Sequence, residues 1–232
     1  MKAGIIQSNY IPWRGYFDLI DDVDLFIFYD DVVYTPKNWR NRNRIKTVHG
    51  TMWLTVPVRH RSTTLIQEAE IDYDSRWVDK HIRSVTLAYQ KAPYFRSYAA
   101  EFFDLLALRH PVISALNIAV CRWVMDKLDI RTRTCMSTEF GIGGSKYDRP
   151  VAILQHVGAT AYLSGPTARA YTDMSLYEAA GISVEYKSYE YAEYPQLHGP
   201  FEPQLTILDV LFNCGDASRS YLKSLTPNEK AF

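Results

Sequence analysis

Two adjacent carboxylates, Asp30 and Asp31, close a short apolar run from Leu25 to Tyr29. Upstream, the polar trio Gln7-Ser8-Asn9 cuts off another apolar run, Gly4-Ile5-Ile6. Downstream, basic residues recur at every second position: Arg40, Arg42, Arg44 and Lys46. A carboxylate serves as a general base on an amine or hydroxyl when burial or a like-charged neighbour raises its pKa. Asp30 and Asp31 are therefore the candidate catalytic pair. Guanidinium groups fork onto phosphates and carboxylates. Arg42 and Arg44, with Arg40 in the same stripe, thus point to an anionic small molecule such as a nucleotide-sugar or an activated acyl donor. Gln7, Asn9 and Tyr16 would orient an acceptor. A blander reading stands beside this one. The charge run is then a solvated face, the aspartates cap a loop, and Asn9 makes an Asx-turn before Pro12. A further variant makes Cys214 an acyl-accepting nucleophile with His198 as base. Nothing local pairs the two, and Phe212-Asn213-Cys214-Gly215 reads equally as a helix end.

The elements that must position these residues begin at once. Short apolar runs flanked by turn chemistry read as buried strands of a parallel sheet. The order from Ile5 to Tyr29 is strand, loop, helix, strand. Ligands of such sheets bind beyond the carboxyl ends of the strands, where Gln7–Asn9 and Asp30–Asp31 fall. The turn Tyr10-Ile11-Pro12-Trp13 leads into a helical stripe of Tyr16, Phe17, Ile20 and Val23. Gly15 near its start permits close backbone approach, and a helix N-terminus there offers free N–H groups to an anion. In an extended chain the four basic residues share one face, with Trp39, Asn41, Asn43 and Ile45 on the other. Tyr10, Trp13, Asn41 and Asn43 join the candidate ligand contacts, as do Ser164 and Gly165 at the end of a later strand.

The remaining chain reads as scaffold. Thr51 to Val58 is a strand that Pro57 places near an end or edge. Residues 59–70 are polar and loop-like. From Trp77 the period turns helical, with Ser75 as N-cap. Pro93 and Pro111 open two more helices, so residues 76–129 form a helical portion whose role is packing. Strand patterns return at 131–137, 160–163 and 182–186, separated by helices that Asp148 and Asp173 cap. The glycine loop Phe140 to Ser145 lacks the tight pattern of a phosphate cradle and reads as a linker. Residues 189–203 make a long Tyr- and Pro-rich loop, a common place for function. Thr206 to Asp209 resembles a capping box. The expected fold is α/β, a mostly parallel sheet flanked by helices, in one domain over residues 1–222 with a frayed tail at 223–232.

Composition narrows the classes. The 232 residues carry 26 Lys plus Arg against 26 Asp plus Glu, so the net charge is zero. A nucleic-acid binder needs a basic excess. The apolar runs are too short for a membrane span, and Met1-Lys2 leads straight into a strand, so a soluble cytoplasmic protein is expected. Three scattered cysteines and six scattered histidines give neither a disulfide framework nor metal-ligand spacing. No metal and no cofactor are expected. The sequence sets no oligomeric state. Seventeen tyrosines suit a pocket for an amphipathic sugar or nucleotide.

The blocks IIQSNYIPWRGYFDLI, YDDVVYTPKNWRNRNRIK, MWLTVPV, AYQKAPYF, GATAYLSGPTARAY and TILDVLFNCG resemble successive blocks of the WbqC-like family, over about Lys2 to Gly215. The resemblance implies a role in bacterial O-antigen and related surface-polysaccharide biosynthesis. It also implies transfer of a glycyl or other aminoacyl group involving a sugar. A more distant similarity links Ile5 to Tyr29 with nucleotidyltransferases that open on an H-x-G-H motif. Trp13-Arg14-Gly15-Tyr16 stands where that motif would be. Both histidines are missing, which supports a related fold and argues against nucleotidyl transfer.

Overall fold

Alternation along the central strands decides which face each residue serves. In β1 (Lys2–Ile6), Ala3 and Ile5 pack into one apolar cluster, while Ile6 packs into the other. In β2 (Leu25–Phe28), Leu25 and Ile27 join the first cluster, Phe26 and Phe28 the second. A strand buried on both faces must be apolar where it is buried, and both are, from Ala3 to Ile6 and from Leu25 to Phe28. This computed structural model describes residues 1–231.

Between these strands lies α1 (Arg14–Asp21), its Phe17, Leu19 and Ile20 fully buried. Gly4 lets it approach the sheet, since a Cβ there would lie 3.1 Å from the Leu19 side chain. A hairpin of β3 (Arg42–Thr47) and β4 (Gly50–Thr55) stands outside the main sheet. The stretch expected to be loop after it carries a small antiparallel pair, β5 (Val58–Arg59) and β6 (Glu70–Ile71). The helical portion follows as α2 (Trp77–Tyr89), α3 (Phe95–Ala107) and α4 (Ile113–Lys127). Ser75 does not cap α2; Arg76 occupies that position in the left-handed region, φ 52°.

The α/β alternation then resumes with β7 (Arg133–Met136), α5 (Asp148–His156), β8 (Ala161–Ser164), α6 (Met174–Ala179) and β9 (Ser183–Tyr186). Helix α7 (Ile207–Cys214) is capped by the Thr206 hydroxyl, which accepts the Leu208 N–H at 3.4 Å. The reciprocal half of the capping box is absent: the Thr206 N–H donates to the Arg44 carbonyl at 3.0 Å, and Asp209 accepts the Tyr194 hydroxyl at 2.9 Å. Ser188 takes up Thr226 and Asn228, and β10 (Glu229–Lys230) adds an antiparallel edge to β9.

Among the described residues the main sheet has six strands in the order β10-β9-β8-β1-β2-β7, parallel except for β10. The chain moves outward from β1 through β2 to β7, then returns to the far side of β1 as β8. The order reverses there. Helices α1 to α4 and α7 cover one face, α5 and α6 the other. Such a reversal leaves a crevice at the carboxyl ends of the two central strands, β1 and β8. Among the described residues no helix is long and apolar enough to cross a membrane.

Candidate functional site

A cavity of about 1160 Å³ opens at that crevice. One wall comes from the turn after β1. Arg40 Nη2 donates to Gln7 Oε1 at 2.6 Å, and Nη1 to Asn9 Oδ1 at 3.2 Å. Both acceptors are neutral amides, and among the described residues no carboxylate pairs with this guanidinium. Burial lowers the Arg40 pKa, against the pull of Tyr16 and Asp30. A desolvated cation without an anion beside it is costly. The Tyr16 hydroxyl donates to the Gln7 carbonyl at 3.1 Å, which fixes the turn.

Another part of the lining belongs to Asp31. Its Oδ1 accepts the Ser137 hydroxyl at 2.6 Å, and its Oδ2 forms an ion pair with Arg149 in the first turn of α5. Arg149 Nε donates to the Ile142 carbonyl at 2.7 Å, and its guanidinium lies 4.9 Å from the Tyr29 ring. Burial alone would lower the Arg149 pKa, but Asp31 and Tyr29 carry the net shift upward. Ser164 and Gly165 lie at the end of β8, where the Ser164 oxygen accepts the Tyr162 hydroxyl at 3.1 Å. The rim is aromatic. Trp13 meets Tyr189 at 5.0 Å and Tyr191 at 5.8 Å, both from the long loop. Gly144, Ser145 and Lys146 complete it, so the glycine loop read as a linker borders the cavity.

Of the sequence candidates, Gln7, Asn9, Trp13, Tyr16, Asp31, Ser164 and Gly165 line this cavity. The others do not. Asp30 is fully buried: Oδ1 accepts the Ser8 N–H at 2.7 Å and Oδ2 the Ser114 hydroxyl. Burial raises its pKa, opposed by those same bonds. Its task is to tie β1, β2 and α4 together, not to face a ligand. Tyr10 is a core side chain whose hydroxyl bonds His81 Nδ1 at 2.8 Å. Asn41 donates to the Val56 carbonyl, and Asn43 to the Tyr10 and Ile11 carbonyls, so both hold backbone. Arg42 lies over Trp53 at 4.3 Å, and Arg44 reaches Gln204 and pairs with Glu202 at 3.8 Å, and neither arginine lines the cavity. The alternation holds for Arg42, Asn43, Arg44 and Ile45, but Lys46 is buried, Trp39 packs against Trp53 on the arginine side, and Arg40, which precedes the strand, is the one basic residue of the stripe that lines the cavity.

Gly15 makes no room for a ligand. A Cβ on it would lie 2.4 Å from the Trp13 ring, which occupies that space. Gly15→Ala is therefore expected to lose about 1–3 kcal/mol by overpacking, read from urea unfolding. Cys214 and His198 do not form a pair: His198 Nε2 bonds the Ala88 carbonyl at 2.7 Å, and burial pushes the thiol pKa up to about 11. Among the described residues no group of three or more His, Cys, Asp or Glu could hold a metal ion.

Arg149 carried no sequence signal, since it sits alone in a helix start 118 positions from Asp31. Arg14 was passed over as a helix residue. It is buried, donates to the Ala192 and Tyr221 carbonyls, and lies 4.6 Å from the Tyr191 ring.

The uncharacterized protein Rv1507c of Mycobacterium tuberculosis (strain ATCC 25618 / H37Rv) is 43% identical over 230 residues, covering 96% of this chain and 97% of the relative. No solved structure matches the chain. The model of the WbqC-like protein family matches residues 7–221, which takes in Arg40, Asp31, Arg149 and the aromatic loop, and the chain belongs to that family.

Proposed function

We propose that the cavity binds a nucleotide-activated sugar and that the protein is a transferase of bacterial surface-polysaccharide biosynthesis. The group moved to or from that sugar is an acyl, aminoacyl or related unit. The observation that carries this reading is the pair of guanidinium groups, Arg40 and Arg149, that line one crevice at the strand-order reversal. Arg40 has only neutral partners and favours an anion. A diphosphate seated between the two arginines competes with Asp31 for Arg149. Asp31, so released, is the side chain placed to accept a proton. The tyrosine rim suits the apolar faces and polar edges of a sugar or base.

Removal of Arg40 is expected to weaken nucleotide-sugar binding by about 1.5–3 kcal/mol, the worth of a charged hydrogen bond. Arg42→Ala should leave that affinity unchanged. Calorimetric titration of both variants with a panel of nucleotide-sugars decides it, and equal losses would discard the cavity assignment.

A second reading, a non-catalytic sugar- or nucleotide-binding protein, is favoured by one observation. Both oxygens of Asp30 and both of Asp31 already have protein partners. Asp31→Asn separates the two readings. Lost turnover with affinity kept supports catalysis; a variant that alters affinity alone supports simple binding.

A further inference from the structure

Trp39 and Trp53 are 41% and 43% exposed, although large aromatic side chains are usually well buried. Their rings lie 5.5 Å apart at a 40° tilt. The guanidinium of Arg42 lies 4.3 Å from the Trp53 ring, that of Arg44 5.7 Å. Register explains the assembly. Arg44 sits directly opposite Trp53 across the hairpin, and Arg42 is its diagonal neighbour. The other face of the hairpin buries Asn43, Ile45 and Leu54, so the outward face is left to the tryptophan and the arginines.

Two features set this face apart from a merely solvated one. The Arg42 side chain has no hydrogen bond or ion pair among the described residues, and its buried Nε has no partner. The face also abuts the cavity. Trp39 immediately precedes Arg40 of the cavity wall, and its carbonyl accepts the Tyr10 N–H at 2.9 Å. Arg44 donates to the carbonyl and side-chain oxygen of Gln204, which lines the cavity.

We propose that Trp39, Trp53, Arg42 and Arg44 form a subsite for a saccharide that bears a carboxylate, the acceptor end of the same crevice. A pyranose ring presents an apolar C–H face and a hydroxylated edge. The face stacks on an indole while the edge meets forked donors. The unused donors of Arg42 match a carboxylate better than a neutral hydroxyl. A net charge of zero argues against a nucleic-acid strand on the same aromatics. The inference rests on the reading of the cavity as a nucleotide-sugar site, which it extends to the second substrate.

The test uses the full chain and tryptophan-fluorescence quenching, with calorimetry as the second measurement. The probes are oligogalacturonate, a neutral malto-oligosaccharide and phosphatidylglycerol vesicles. UDP-glucose and UDP-N-acetylglucosamine are titrated in parallel. Saturable binding of oligogalacturonate is expected, stronger than that of the neutral sugar. Trp53→Ala and Arg42→Gln should each weaken it roughly tenfold or more, the loss of a hot-spot tryptophan or arginine. Their affinity for the nucleotide-sugars should not change. Absence of oligogalacturonate binding, equal binding by both variants, or binding to vesicles alone overturns the subsite. If oligogalacturonate binding depends on Trp53 while neither nucleotide-sugar binds, the cavity reading fails and the saccharide face stands.

Discussion

Asp30→Ala is expected to destabilise the fold by about 2–6 kcal/mol, the cost of leaving two buried donors unmet. The Asp30 side chain is fully buried. Its removal orphans the Ser8 N–H and the Ser114 hydroxyl, and each buried donor left unmet costs about 1–3 kcal/mol. The loss spreads further, because Asn117 Nδ2 donates both to the Ser8 hydroxyl at 3.1 Å and to the Arg40 carbonyl at 2.9 Å. Asp30 thus supports the backbone that presents Arg40. Asp30→Asn keeps the shape. Its amide oxygen can accept the Ser8 N–H, and the Ser114 hydroxyl can turn to accept from its nitrogen. Urea midpoints should place the asparagine variant close to the parent and the alanine variant far below it. A catalytic Asp30 would show itself in turnover instead, with Asp30→Asn stable but inert. An alanine variant within about 1 kcal/mol of the parent would remove Asp30 from this structural role.

Where local pattern decided the outcome, the sequence was legible. The runs at Ile5 and Leu25–Tyr29 are neighbouring parallel strands, in register from Ala3↔Leu25 to Ile6↔Phe28. The helical stripes from Trp77 onward gave helices because their apolar spacing had one core to face. Asp173 caps α6 as its position implied, its carboxylate accepting the Ser175 N–H. Long-range pairing was not legible. β7 joins β2 only after the chain has passed through a hairpin and three helices, and nothing within β7 names its partner. The site shows the same division. The polar break after β1 and the end of β8 announced two of its edges. The paired acids announced a third, but two adjacent residues at a strand end point to opposite sides, so only Asp31 could face the cavity. Its cation was expected from the basic stripe and came instead from Arg149, brought in by the crossing to α5.

Acid should act on two buried groups in opposite directions and by similar amounts. Burial holds the His81 pKa down to about 4, with a Thr55 backbone contact pulling the other way. The unfolded imidazole titrates near its ordinary 6.5, so between pH 6.5 and 4 the unfolded chain binds a proton that the folded chain refuses. Stability falls through that window as pH drops, by about 3 kcal/mol in all. Burial pushes the Asp209 pKa up to about 6, against hydrogen bonds from Tyr89 and Tyr194 and the charge of Lys46. Here the folded chain binds the proton first. Stability therefore rises as pH drops from about 6 to about 4, again by about 3 kcal/mol. In the parent the two contributions largely offset each other. Asp209→Asn removes the rising one, keeps an acceptor for the Tyr194 hydroxyl, and should leave a protein that weakens steadily on acidification from pH 6.5. His81→Gln removes the falling one, keeps an acceptor for Tyr10, and should gain stability over the same interval. Urea unfolding of both variants across that window reads the signs directly. Parallel profiles for the two would mean that neither group carries the shift its burial implies.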